Sequence, residues 1–279
     1  MARERGYCME TLFSYELTMN NYLFDDDGLL KKDKNKSHLR HELEKILSEE
    51  DYNMPDLRNV YVAVDVMMIC RKLKWKSMKF FKDFAEAFCT EVKKLIKYFA
   101  TKIDFIFDSY FETSVKLHER LRRYTCDPID IHSIDDDVDM PTMEDSFWAS
   151  THNKILLQSY LRKFILINKE KYWPNIEILC SATKEEICKS SSSARDSLSL
   201  SNLQNHEIEE ADSRMILHID HAINENIHSI IVLSCDTDVL VLLLNYYEYF
   251  SSKGLEVSNL NIHYFYNQLK ILNKTAVNK

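Results

Sequence analysis

Apolar residues along this chain fall into two patterns: short runs with almost no polar break, and longer stretches with helical spacing. Val60 to Val64 is a run of the first kind and predicts a strand ending at Asp65. Ile103 to Phe107 predicts a second strand, ending at Asp108, and Ile176 to Cys180 a short third one. Ile230 to Leu233 reads as a fully buried strand of the kind found in parallel sheets, and it leads into Asp236-Thr-Asp238. Helical spacing fills the intervals. Between Phe80 and Phe99 the apolar positions are 80, 81, 84, 87, 88, 92, 95, 96 and 99, one face of a helix. Lys116 to Tyr124 predicts a basic helix, and Phe147 to Asn168 a long one. A further helix begins at Ile208 or Glu209 and runs through Ile223, with Ala211, Met215, Ile216, Ile219 and Ala222 on its apolar face. Val239 to Leu244 is again apolar, and one more strand is expected within Gly254 to Phe265. Strands alternating with helices predict an α/β fold with a mainly parallel, right-handed sheet flanked by helices.

The pattern also divides the chain. Residues 1–57 read as a helical appendage: Tyr15 to Phe24 is amphipathic, Asp25 to Gly28 a turn, and Lys31 to Lys36 a basic run. Ser37 caps a helix through Leu47, with Leu39, Leu43, Ile46 and Leu47 on one face. Residues 58–270 form the α/β domain, and 271–279 a tail. Two segments interrupt the domain: the acidic stretch 127–145, with two of the four prolines, and the serine-rich stretch 189–202. Both read as exposed or disordered loops. No internal repeat is present.

Composition narrows the chemistry. A chain of 279 residues, 45% hydrophobic, is ample for one sizeable core with an appendage. With only three glycines, no Gly-x-Gly-x-x-Gly or Walker-type phosphate loop can be drawn. A formal net charge of −8 argues against a simple basic coat for nucleic acid and leaves room for a local basic groove. The seven cysteines (8, 70, 89, 126, 180, 188, 235) form no Cys-x-x-Cys pair and read as buried, reduced thiols of an intracellular protein. The amino terminus has no apolar signal core, and no apolar run is long enough to span a bilayer, so a soluble cytoplasmic or nuclear protein with no membrane partner is expected.

Carboxylates recur at matching places. Asp65, Asp108 and the Asp236/Asp238 pair each follow a predicted strand, and Glu210 and Asp212 open the helix before the last of these strands. In a parallel sheet all strand carboxyl ends lie on one edge, where ligands of open α/β sheets bind. Each acid alone has an ordinary reading: Asp65 and Asp236 as helix caps, Asp108 as a turn residue, Glu210 and Asp212 as partners of a helix dipole. Five or six together would repel one another without cations, and oxygen-only ligands suit Mg²⁺ or Mn²⁺. Two such ions stabilise the attacking and leaving oxygens of a phosphoryl displacement and lower the pKa of the attacking water. No Ser, Cys or His triad is evident. The basic run Arg71 to Lys79 around Trp75 reads either as a strand-guiding surface with one stacking aromatic or as a solvated loop.

The order of these motifs resembles the PIN-like superfamily, nearest its flap endonuclease and 5′-nuclease branch. The residues that carry it are Asp65 after a strand, Phe107-Asp108 followed by Lys116-Leu-His-Glu-Arg-Leu-Arg-Arg123, Glu210-Ala-Asp212, and Asp236-Thr-Asp238. Leu12 to Leu17, Ser146 to Lys154 and Glu209 to His218 are similar to a group of invertebrate PIN-like proteins often associated with mobile elements. The resemblance implies a three-layer α/β fold and a metal-dependent nuclease cleaving DNA or RNA. It implies Asp65, Asp108, Glu210, Asp212, Asp236 and Asp238 as catalytic metal ligands for two Mg²⁺ or Mn²⁺ ions, and Lys116, Arg120, Arg122 and Arg123 as phosphate contacts. Flap nucleases carry a further aspartate in a Gly-Cys-Asp segment downstream. A chain ending at Lys279 has no such segment and is read as a truncated gene product, which leaves its second metal open. The acidic stretch 127–145 also places negative charge where such an enzyme threads its strand. Two alternatives stand beside the nuclease: an inactive PIN-like module that binds nucleic acid or acts as a scaffold, and a haloacid dehalogenase-like phosphatase. In the latter family an Asp-x-Asp pair comes early; here only residues 239–279 follow it, too few to complete that fold.

Overall fold

Strand β1 (Val60–Asp65) is buried along its whole length, because it lies at the middle of a seven-stranded sheet with helices on both faces. The computed structural model describes residues 59–96, 100–111, 126–192, 200–205, 207–227, 229–255, 260–263 and 268–270. The expected appendage over 1–57, the basic helix over 116–124 and the tail over 271–279 lie outside the described residues.

The sheet order is β4-β3-β2-β1-β5-β6-β7. β2 (Ala100–Ile106), β3 (Glu177–Cys180), β5 (Ser229–Leu233) and β6 (Leu260–His263) continue it in parallel with β1. Two short strands, β4 (Lys189–Ser190) and β7 (Gln268–Lys270), close the edges antiparallel. The helices are α1 (Val66–Lys72), α2 (Phe81–Ile96), α3 (Glu144–Ala149), α4 (Thr151–Ile167), α5 (Lys169–Tyr172), α6 (Ala211–Asn224) and α7 (Thr237–Ser252). Val60, Val62 and Val64 point to a core shared with Ile69 of α1, Phe84 and Phe88 of α2, and Leu161 and Ile165 of α4. α6 packs on the other side of β1 and β2, with α7 beside it. The fold is therefore a three-layer α/β/α sandwich with a mostly parallel sheet.

Local sequence explains most boundaries. Asp83 accepts the backbone N–H groups of Phe80 (2.9 Å) and Lys79 (3.0 Å), fastening the entry to α2, whose apolar stripe then buries Phe81, Phe84, Phe88 and Val92. With so few glycines, asparagine takes the left-handed turn positions: Asn59 (φ 60°) before β1 and Asn226 (φ 61°) between α6 and β5. The apolar segment 239–244 lies inside α7.

Several expectations need correction. The single helix over 147–168 is two helices, because Ser150 leaves helical geometry (φ −76°, ψ 124°) and its hydroxyl accepts the Asn153 N–H as the cap of α4. The acidic stretch is docked: Phe81 N–H donates to Val138 O (3.0 Å), Met140 N–H to Lys79 O (2.7 Å), and Ile134 and Met140 are buried. The serine-rich stretch begins as edge strand β4, and at its far end Leu200 and Leu203 pack against Leu179 and Cys188; residues 193–199 lie outside the described ones. Trp75 is a core residue: its Nε1–H donates to Pro141 O (2.6 Å) and its ring packs on Phe84, Phe147 and Trp148. No base can stack on it. Among the described residues no helix is long and apolar enough to cross a membrane, and Cys70, Cys89, Cys180 and Cys188 are buried free thiols.

Candidate metal centre

Three neighbouring parallel strands, β2, β1 and β5, end side by side on one edge of the sheet, and an acid follows each. Asp65 is the last residue of β1 and the cap of α1: Met68 N–H donates to its Oδ1 (3.0 Å) and Ser234 Oγ–H to its Oδ2 (3.4 Å). It is 8% exposed. Burial pushes its carboxyl up to about 7; the charges of Asp108 and Asp236 push the same way, and the Met68 and Ser234 hydrogen bonds oppose.

Asp108 stands two residues beyond β2, since the ladder stops at Ile106 rather than Phe107: the Phe107 N–H turns to Ser181 Oγ (2.9 Å). This extension is stitched to the start of α6. Ser109 N–H donates to Glu209 O (2.7 Å), and Ala211 N–H donates to Asp108 Oδ1 (2.9 Å). Asp108 thus caps α6 from another strand. Glu210 holds the cap position of α6, which starts at Ala211 and not at Ile208 or Glu209, and its side chain makes no capping bond.

Asp236 caps α7, accepting the Asp238 N–H on Oδ1 (2.9 Å), and its own N–H donates to Ser234 Oγ (3.2 Å). Asp212, in the first turn of α6, faces this pair. One carboxylate oxygen from each of Asp212, Asp236 and Asp238 lies within 4.8 Å of the other two. Oxygens sharing a Mg²⁺ or Mn²⁺ ion sit about 3–4 Å apart, given ion–oxygen distances of about 2.1 Å, so a small inward movement completes such a site. Burial raises the Asp212 carboxyl to about 8, and the charges of Asp236, Asp65, Glu210 and Asp108 add to it. Asp65, Asp108 and Glu210 stand outside the tight trio, but their fields reach it. The donor set is all oxygen, which fits a hard divalent cation and not the sulfur and imidazole ligands usual for zinc. Lys116, Arg120, Arg122 and Arg123 lie outside the described residues.

Two residues that pattern reading passed over organise the site. Ser234 bridges Asp65 and Asp236. Arg214 is fully buried in α6; its guanidinium donates to Ser109 Oγ (2.9 Å), Asn205 O (3.1 Å) and Ile208 O, holding the approach to α6 against the β2 extension. Burial draws its pKa down, and Asp108 opposes that. A signal existed: Arg214 lies three residues after Ala211 and eight before Ala222, beside the apolar phase of α6.

These raised carboxyls fix a pH dependence. A folded-state pKa of about 7 or 8, against 3.8 when unfolded, means the native state holds protons the unfolded chain has released. Stability is then full below pH ~4 and falls as pH rises through the folded values. In EDTA the unfolding free energy is expected to drop between pH 5 and pH 8 by on the order of 2 kcal/mol after allowing for the solvated part of the cluster, read as a lower melting temperature. Asp212→Asn should flatten the drop; a melting curve that rises over this window in EDTA contradicts it.

Comparison of the chain with protein-family models, curated proteins and solved structures gives no match. The chemistry of the site therefore rests on its own residues.

Proposed function

We propose that the chain is a PIN-like, divalent-metal-dependent nuclease that hydrolyses phosphodiester bonds of DNA or RNA inside the cell. The observation that supports this most is the convergence of Asp212, Asp236 and Asp238 at one sheet edge, with the fields of Asp65, Asp108 and Glu210 reaching the same point. Asp212, Asp236 and Asp238 would hold one Mg²⁺ or Mn²⁺ ion, and Asp65, Asp108 and Glu210 would contribute to a second. Ions bound there would supply the positive charge a phosphodiester displacement needs and acidify an attacking water. The chain's own part is to fix the carboxylates through backbone caps, so that their geometry does not depend on flexible side chains alone. The buried free thiols suit a reducing compartment.

The test is incubation of labelled single-stranded and 5′-flap DNA, and of RNA, with Mg²⁺, Mn²⁺ or EDTA. Cleavage in Mn²⁺ that stops in EDTA is expected. A protein whose melting temperature rises with Mn²⁺ but which cleaves nothing would be the inactive nucleic-acid-binding module. One that neither cleaves nor responds to Mn²⁺ would remove the metal reading.

A further inference from the structure

Two residues beyond Asp108, at Tyr110, a cleft of about 160 Å³ opens between the first half of α4 and the segment that follows β3. Tyr110 forms the wall nearest the acids: its ring lines the cleft while its hydroxyl lies 3.5 Å from Asp108 Oδ2. Tyr110 thus connects the cleft to Asp108. Ile155 and Leu156 make the lining apolar, and Gln158, Thr183 and Lys184 add polar groups.

Resting on the nuclease reading, we propose that this cleft receives one unpaired nucleobase, next to the phosphate held at the carboxylates, and makes the enzyme prefer single-stranded nucleic acid at that position. Four observations carry it. The cleft is preformed: Thr183 N–H donates to Glu186 O (2.8 Å), Glu186 N–H to Thr183 Oγ1 (3.1 Å), and Arg162, itself fully buried, donates from Nε to Glu186 (3.0 Å). Its lining carries no surplus positive charge, since Glu185 offsets Lys184 and Arg162 pairs with Glu186, so the cleft suits a neutral ring better than a phosphate. Gln158, 3% exposed, lines the cleft and has an Nε2 with no hydrogen-bond partner; a base carbonyl or ring nitrogen is the acceptor such an amide needs after a small rotation. Finally, an exposed cation stands at the rim: Lys184 Nζ is 5.9 Å from the Phe111 ring, placed to meet a flanking phosphate. A base in an apolar slot against an aromatic wall, its backbone outside among lysines, is how single strands are usually held.

The experiment measures binding of a fluorescent single-stranded oligonucleotide in Ca²⁺ with one abasic site moved along it. One position is expected at which loss of the base weakens binding about tenfold. Gln158→Met, which keeps volume, and the exposed Lys184→Ala each leave melting temperature near wild type; Gln158→Met should erase the penalty at that position, and Lys184→Ala should weaken all oligonucleotides alike. Equal binding at every abasic position, an undiminished penalty in Gln158→Met, or no binding at all overturns the proposal. The outcomes stay separable: base-dependent binding without Mn²⁺-dependent cleavage removes the nuclease and keeps the cleft, whereas cleavage with base-independent binding removes the cleft alone.

Discussion

Asp236→Asn is expected to lower Mn²⁺-dependent cleavage by on the order of a thousandfold and to abolish the rise in melting temperature that Mn²⁺ brings. The choice of asparagine follows from the structure. Asp236 has two tasks: Oδ1 caps α7 by accepting the Asp238 N–H, and the carboxylate as a whole contributes charge to the trio with Asp212 and Asp238. Alanine would remove both, costing about 1 kcal/mol of cap stability that has nothing to do with metal. Asparagine keeps an oxygen for the cap and removes only the charge. Metal-free Asp236→Asn should therefore be as stable as wild type or more so, because one source of repulsion on Asp65 and Asp212 is gone. Loss of Mn²⁺ response with unchanged or raised apo stability identifies a metal ligand. A variant that keeps its Mn²⁺ response and its cleavage would show that the Asp-x-Asp pair serves only as a helix cap.

Arg214→Ala is expected to destabilise the protein by about 3–5 kcal/mol, or roughly 6–20 °C in melting temperature, as measured by urea and thermal unfolding. The guanidinium is fully buried, and its removal strands Ser109 Oγ and the carbonyls of Asn205 and Ile208 without their donor. It also takes a positive charge from the vicinity of Asp108. Arg214→Lys should recover little, since one ammonium cannot span three acceptors on two segments. Because Asp108 is tied to Ala211 through that same approach, weaker Mn²⁺ binding should accompany the loss. A change under about 1 kcal/mol in Arg214→Ala would contradict this account.

Much of this architecture was legible from periodicity alone. β1, β3 and β5 fall within a residue or so of their apolar runs, because a strand buried on both faces has no polar positions to blur it. Misreadings arose where a distant partner decided the matter. Trp75 sits in a run of lysines, and only its packing on Phe147 and Trp148, more than seventy residues on, makes it core. The strand carrying Asp104 was legible, but the partners that satisfy its carboxylate there, Tyr61 OH (3.0 Å) and His218 Nδ1 (2.8 Å), are far from it in sequence. The break at Ser150 was local and could have been read from its capping side chain, but an apolar phase that continues across it hides the stop.

The sequence by itself determined that this chain alternates buried strands with amphipathic helices, and that acids follow the strands now numbered β1, β2 and β5. Hydrophobic period and strand ends are properties of neighbouring residues, so one chain displays them unaided. Only the tertiary structure decided that those strands are adjacent, in the order β2-β1-β5, and that α6 brings Asp212 to meet Asp236 and Asp238. Strand order depends on packing between segments far apart in sequence, Val60 on Ala100 and on Ser229, and the raised carboxyls of Asp65 and Asp212 depend on burial and on charges gathered by that order. Neither quantity exists until the sheet has formed.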